Sequence, residues 1–244
     1  MFKRNSLLSV LTHIKNKGVN PQTVIDVGVA YGTNGLYGAF DSVRYLMVEP
    51  LEEYKGVLDK IASEYPAVYT LAAAGSREGS IIMNVHPDMS GSSVLKESEG
   101  AHVDGVERTV PVVTLDGETK KYGLKGPFII KVDVQGFELE VLKGAEETLK
   151  ETEVVIMEVS LFQFYKESPT FLDAVAFMSQ KGFSPYDIFG ATYRPLDDAL
   201  GQVDVVFASD KGILKQSSHF ASFEQRKKFT EERINKLNPA SKSV

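Results

Sequence analysis

The sequence predicts an α/β fold: a central, mostly parallel seven-stranded sheet with helices on both faces and an antiparallel strand at one edge. Three observations predict it. Short β-branched runs alternate with segments of helical periodicity along most of the 244 residues. One such run, Thr23 to Val27, leads directly into spaced glycines at Gly28, Gly32 and Gly35. Only a loop separates the last two strands, which fits an antiparallel pair at a sheet edge. A chain of this length can bury one large core, and no repeat or linker divides it. We expect a single domain over 1–222, interrupted by an insertion over about 77–126, and a charged helix with a tail over 223–244.

Taken in order, Ser6 to Lys17 places Leu7, Val10, Leu11 and Ile14 on one helical face, and Gly18 ends that helix. His13 reads as a surface residue. Strand Thr23 to Val27 and its glycines follow, then a helix over about Asn34 to Phe40 and a strand from Tyr45 to Val48. Glu52 to Glu64 is helical, with Tyr54, Val57, Leu58 and Ile61 on one face. Val68 to Ala73 is the third strand. Arg77 to Gly126 breaks the alternation: Ser80 to Val85 and Thr109 to Val113 read as a hairpin whose long loop, containing His86, covers the site. Thr114 or Asp116 caps the next turn. Phe128 to Val134 is the fourth core strand. Phe137 to Leu149 is a helix with Leu139, Leu142, Ala145 and Leu149 inward. Val154 to Val159 is a strand. Thr170 to Lys181 is a helix with Phe171, Leu172, Val175 and Met178 inward. Phe183 to Ile188 and Val203 to Ala208 close the sheet. Gln225 to Leu237 is a charged helix with a thin apolar stripe, and Asn238 to Val244 a loose tail.

Composition excludes several classes. Cysteine is absent, which removes disulfides, thiolate catalysis and zinc–thiolate sites. The net charge is −6 with no basic cluster in the body, which argues against a nucleic-acid partner. No apolar run approaches a membrane span, and Met1 to Asn5 does not open a secretory leader. The expectation is a soluble cytoplasmic protein.

The glycine loop indicates the ligand. A dinucleotide fingerprint has G-x-G-x-x-G, and its second glycine admits a pyrophosphate. Here Ala30 stands at that position, within Asp26-x-Gly28-x-x-x-Gly32. The next acid at a strand end is Glu49, before Pro50, about 20 residues on and suited to gripping both hydroxyls of a ribose. A nucleoside cofactor without a pyrophosphate fits, and S-adenosylmethionine is the leading candidate. Ala73 and Ala74, at the end of the third strand, leave room for a base. Lys131 and Asp133 are charged residues at the carboxyl end of a central strand, where open α/β sheets bind ligands. Glu158 ends the neighbouring strand.

Thr23-Val-Ile-Asp-Val-Gly28, Val48-Glu49-Pro50, Thr114-Leu115-Asp116, Lys131-Val-Asp-Val-Gln-Gly-Phe-Glu-Leu-Glu-Val-Leu-Lys-Gly-Ala145 and Ile156-Met-Glu158, in that order, resemble the FkbM-type methyltransferase family. The resemblance spans roughly Leu7 to Ser209, and Lys131 to Ala145 is its most specific part. It implies a class I, Rossmann-like fold, S-adenosylmethionine as cofactor, and O-methylation of a sugar or other hydroxyl. Ala30 departs from the Asn the family often carries there.

The expected cofactor contacts are Asp26 at the polar methionine end, Glu49 at the ribose, and Gly28, Ala30, Tyr31, Gly32, Pro50, Ala73, Ala74 and Asp133 around them. Asp133 is the candidate base or acceptor-orienting group, held by Lys131 two residues away on the same strand face, with Glu158 completing the set. A competing version places magnesium on Asp133, Glu158 and a third oxygen. A structural ion-pair network of Lys131, Asp133 and Glu158 is the other alternative. Two further functional classes stay open, an NAD-dependent sugar oxidoreductase and a non-catalytic cofactor-binding subunit. The partner is a small hydroxyl acceptor, selected by Asp88 to Gly105 and Leu161 to Thr170. The C-terminal helix packs on its own domain or on a second copy.

Overall fold

The structure, a computed structural model, describes residues 4–40, 42–100 and 102–237. Its main sheet contains β1 (Thr23–Val27), β2 (Arg44–Glu49), β3 (Ala67–Leu71), β7 (Phe128–Val132), β8 (Thr152–Ser160), β9 (Phe183–Tyr193) and β10 (Leu200–Ser209). They lie in the order β3-β2-β1-β7-β8-β10-β9. The pairings β3-β2, β2-β1, β1-β7 and β7-β8 are parallel, whereas β10 runs antiparallel to both β8 and β9. The expected edge pair is present. Within it β10, the later strand, is the reversed one and sits inside β9.

Helices cover both faces. The alternating residues Ile25, Val27, Leu46, Val48, Ile130, Val132, Val155 and Met157 pack against α3 (Leu115–Lys121), α4 (Glu138–Lys143), α5 (Glu146–Lys150) and α6 (Phe171–Gln180). The opposite face, with Val24, Tyr45, Ile129 and Ile156, takes α1 (Leu7–Asn16), and Met47 on that face takes α2 (Lys55–Glu64). Ser6 closes a capping box on α1, and Gly18 stops it at φ +96°. His13 is partly covered, its Nε2 2.9 Å from the Tyr186 hydroxyl.

The insertion is a three-stranded sheet of β4 (Ala73–Ala74), β5 (Gly79–Val85) and β6 (Val106–Val113), in the order β4-β6-β5. The expected third strand thus divides at Ala72: Ala67–Leu71 stays in the main sheet and Ala73–Ala74 joins the second one. The loop between β5 and β6 crosses the sheet rim. The Ser93 hydroxyl donates to the Gln135 carbonyl at 2.7 Å, and Glu97 pairs with Tyr165. Thr114 caps α3 by accepting from Gly117 N, while Asp116 accepts from the backbone N–H groups of Glu147 and Thr148 at the start of α5.

Four expectations differ in detail. Residues 34–40 form turns rather than a helix. Gly35 and Gly38 both take positive φ, +85° and +78°, and a Cβ on Gly35 would lie 2.9 Å from Leu8 Cβ. The helix expected over 137–149 is broken into α4 and α5 at Gly144, where a Cβ would stand 2.0 Å from the Gly75 carbonyl oxygen. Leu172 is exposed; α6 buries Ala174 and Met178, with Phe171 and Val175 partly covered. α7 (Phe223–Leu237) buries no side chain, so the described part of the C-terminal helix does not pack on its own domain. The expected tail from Asn238 lies outside the described residues. Among the described residues, no helix is long and apolar enough to cross a membrane.

Candidate active site

Two hollows meet at the carboxyl ends of β1 and β7, and a third joins the first of them at Gln135. The first, about 650 Å³ with the solvent open to it, lies between Gly28, Glu49, Ala73, Ala74, Met89 and Gln135. The second, about 730 Å³, shares Gly28, Ala30 and Asp133 with it and adds Tyr31, Gly32, Lys131 and Asp204. The third, about 1520 Å³, begins at Gln135 and runs out between 97–99, 162–165 and the β9–β10 turn.

β1 ends by turning at Gly28 (φ +78°), where a Cβ would stand 1.8 Å from the Asp133 carbonyl oxygen. The glycine therefore sets how closely the loop approaches β7. Ala30 sits at φ +46°, a region that side chains adopt at a cost. Its N–H donates to Glu49 Oε2 at 2.9 Å, and Leu51 N–H donates to Oε1 at 3.0 Å. Glu49 is 3% exposed. Burial pushes its carboxyl up, and the backbone N–H groups of Ala30 and Leu51 pull it back. Pro50, Ala73 and Ala74 line the same wall. Tyr31 is exposed and meets Tyr54 edge-on at 5.0 Å.

Asp26 lines none of the three hollows. It lies beneath them, fully buried, with Oδ2 accepting from the Tyr37 hydroxyl and Oδ1 buried without a hydrogen-bond partner. Burial raises its pKa, against the pull of Lys131, its register partner on β7.

Above Asp26 is a row of charges on the α1 face of the sheet. Lys131 Nζ contacts Asp133 Oδ2 at 3.2 Å. Burial disfavours the ammonium, but Asp133, Asp26 and Asp204 outweigh it and hold its pKa above the usual value. Gln135, at φ +55°, donates through Nε2 to Asp133 Oδ1 at 3.1 Å and reaches Glu158 Oε2 at 3.5 Å, while its Oε1 accepts from the Tyr165 hydroxyl. Gln202 Nε2 donates to Glu158 Oε2 at 2.8 Å. Asp204 lies opposite Glu158 in the β8–β10 register.

The structure therefore brings Lys131, Asp133 and Glu158 together as expected. It adds Gln135, Gln202 and Asp204, which the sequence reading missed. Asp204, a charge inside the apolar run Val203–Phe207, carried the same signal as Lys131; the strained Gln135 carried none. Among the described residues, no three His, Asp or Glu side chains are grouped as metal ligands. Both oxygens of Asp133 are already engaged by nitrogens, so magnesium is not carried further. His86 faces none of these hollows and pairs with Asp88.

The family profile described as "Methyltransferase FkbM domain" matches residues 26–185. The chain belongs to this family of methyltransferases. The matched span is narrower than the resemblance from Leu7 to Ser209, and β10 lies beyond it. S-adenosylmethionine is the methyl donor. No curated relative matches the chain. Among solved structures, magnesium protoporphyrin IX methyltransferase from Synechocystis PCC 6803, with bound S-adenosylmethionine, is 11% identical at a TM-score of 0.46, covering 83% of this chain and 76% of its own. An N-methyltransferase from Bradyrhizobium japonicum WM9 is 7% identical at 0.48, covering 83% and 93%. A didemethyltoxoflavin N1-methyltransferase from Burkholderia thailandensis is 9% identical at 0.41, covering 83% and 77%.

The residues of this methyltransferase fit that donor. Glu49 offers two carboxylate oxygens at the wall of the first hollow, and the small side chains of Ala73 and Ala74 line it beside them. Asp133 and Asp204, with a single lysine between them, suit a cationic sulfonium and ammonium.

Three carboxyls beside the site share one shift. Burial pushes Glu158 up to about 8, helped by Asp133 and Asp204. Burial likewise pushes Glu138, which accepts from Val134 and Gly136 N–H, up to about 7, and Asp204 up to about 6. Each holds a proton in the folded chain that the unfolded chain releases near its ordinary carboxyl value. Their contribution to stability is present at low pH and is lost as pH rises toward 8. The melting temperature should fall between pH 5.5 and 8.5. Glu158→Gln should remove the upper part of that slope, between pH 7 and 8. A melting temperature that is flat or rising over this range contradicts the assignment.

Proposed function

We propose that the protein transfers the methyl group to a hydroxyl of a small sugar-type acceptor. The observation supporting this most directly is the junction at Gln135. A large, part-aromatic cleft with polar groups at its floor meets the donor hollow beside a half-exposed carboxylate, Asp133. When bound, S-adenosylmethionine supplies an electrophilic methyl group on a cationic sulfur.

The chain does the rest. Glu49 is the group to accept hydrogen bonds from the ribose hydroxyls, since each of its oxygens keeps a second lone pair after accepting from the backbone. Gly28 and Gly32 allow close backbone approach, with Ala30, Tyr31 and Pro50 flanking. Asp26 acts from below, through the charge of Lys131, rather than by direct contact. Lys131 Nζ and Gln135 Nε2 fix the Asp133 carboxylate from two sides. That carboxylate is the group placed to take the acceptor hydroxyl's proton. Glu158, protonated at neutral pH, limits the negative charge beside it. Alignment and exclusion of water supply the remaining rate enhancement.

An acceptor screen with labelled methyl donor tests the reading. Label should appear on an alcohol oxygen of sugars or polyols. Label found only on amines, with every polyol inert, defeats the O-methylation reading.

A further inference from the structure

The outer cleft has an uneven charge. Its floor is Gln135 and Gln202, both turned to Glu158. One wall carries Phe162 and Phe164, tilted against each other at 6.0 Å between ring centres. The segment paired alongside it, at Glu97 and Tyr165, carries Glu97 and Glu99. Arg194 is the only cationic side chain among the described lining residues, and it is already occupied. Its guanidinium lies 3.9 Å over the Phe162 ring, and both carboxylate oxygens of Asp197 accept from it, at 2.7 and 2.5 Å. No backbone nest or helix N-terminus stands among the lining residues to replace it. The walls are held in place by pairing between the insertion and the rim: Lys166 N–H donates to the Lys96 carbonyl at 2.8 Å, and Ser98 N–H to the Phe164 carbonyl at 2.8 Å.

From this arrangement we infer that the acceptor is a sugar free of phosphate, a neutral or amino-substituted glycoside, and not a nucleotide-activated sugar. The inference rests on the sugar-hydroxyl reading above and narrows it. A sugar ring offers one C–H-rich face, which suits the aromatic wall, and a rim of hydroxyls, which suits the amides and carboxylates. An amino substituent adds a cation that Glu97 and Glu99 attract. A nucleoside diphosphate brings two negative charges next to two carboxylates, with the one guanidinium tied up, and like charges brought together at a binding surface are strongly unfavourable. Methylation then follows a glycosyl transfer, the class of reaction that releases the nucleoside diphosphate and leaves the sugar on a carrier or aglycone.

The test uses the full chain and a panel of matched pairs, each a p-nitrophenyl glycoside and the uridine diphosphate derivative of the same sugar. Binding is measured by calorimetry in the presence of the demethylated donor, and methylation by labelled donor. For at least one sugar the glycoside should bind and be methylated, and its nucleotide partner should bind about 100-fold more weakly. In the variant Glu97→Lys/Glu99→Lys that gap should narrow at least tenfold, with the affinity for demethylated donor unchanged. A nucleotide sugar that binds as well as its glycoside, or better, overturns the inference while leaving the sugar-hydroxyl reading intact. A gap that charge reversal does not move also overturns it. If neither member of any pair binds, both readings fail together. The wild-type comparison decides the matter even if the double variant does not fold.

Discussion

Asp133→Asn should lower turnover roughly 100- to 1,000-fold, the range expected when a positioned general base is lost, while the demethylated donor still binds. The substitution keeps the side chain's size and removes its charge. Its Oδ1 can still accept from Gln135 Nε2, 3.1 Å away in the parent. On the other side, an amide NH₂ or an uncharged oxygen would replace the carboxylate that faces Lys131 at 3.2 Å. Lys131 is 8% exposed, so a cost of about 1–3 kcal/mol for its weakened pairing is expected. Asp26 and Asp204 still oppose its charge, and the fold should survive. Two readouts separate chemistry from structure. Calorimetry with the demethylated donor reports on the assembled hollow, and single-turnover methylation reports on the proton transfer. A variant with full turnover and a lowered melting temperature would instead make Lys131, Asp133 and Glu158 a structural ion-pair network.

The second large effect is expected at Gly28. Gly28→Ala would place a methyl group 1.8 Å from the Asp133 carbonyl oxygen, at φ +78°. Neither strain can relax alone. Gly28 N–H is tied to the Val48 carbonyl at 2.9 Å, and Asp133 N–H to the Val27 carbonyl at 3.0 Å. The loop must move away from β7, opening the wall shared by the first two hollows. A loss of about 3–5 kcal/mol in chemical denaturation, and of measurable donor binding, is expected. Gly32→Ala is the control. Gly32 also has positive φ, +98°, but its added methyl would meet only Ile61 and Val57 side chains at 3.7 Å. It should lose about 1 kcal/mol, the cost of left-handed backbone for a residue with a Cβ. Similar losses at the two positions would mean that backbone conformation, not the approach to β7, sets the glycine requirement.

What could be read from the sequence follows from what is local. β1 is bounded by its β-branched run and by Gly28, and the structure places it at Thr23–Val27, as expected. Charges inside apolar strands located Lys131, Asp133 and Glu158, because a buried charge needs a partner wherever it falls. The same rule applied to Asp204 would have found the fourth member of that row. Tertiary contact decided the rest. Gly144 breaks a well-patterned helix only because the Gly75 carbonyl lies against it. Ala72 ends one strand and lets another sheet begin, through side-by-side pairing of Ala73 and Ala74 with Val112 and Val113. Gln135 is unremarkable as a letter between a strand and a glycine. Its role as the meeting point of the first and third hollows comes from backbone at φ +55° and from partners such as Ser93 and Tyr165, 30 residues or more away along the chain.

β10 follows β9 in the chain but is interior in the sheet, between β8 and β9, and this bears on biosynthesis. A nascent chain emerging from the ribosome can pair β1, β2, β3, β7 and β8 as they appear, in keeping with the general N-to-C order of folding during synthesis. It cannot seat β9, which has no bond to β8, until residues 200–209 have cleared the exit tunnel. Gln202 and Asp204 arrive on that final strand. A nascent chain lacking β10 would therefore carry a donor-shaped hollow with an unfinished acidic wall, completed only when that strand is inserted between β8 and β9.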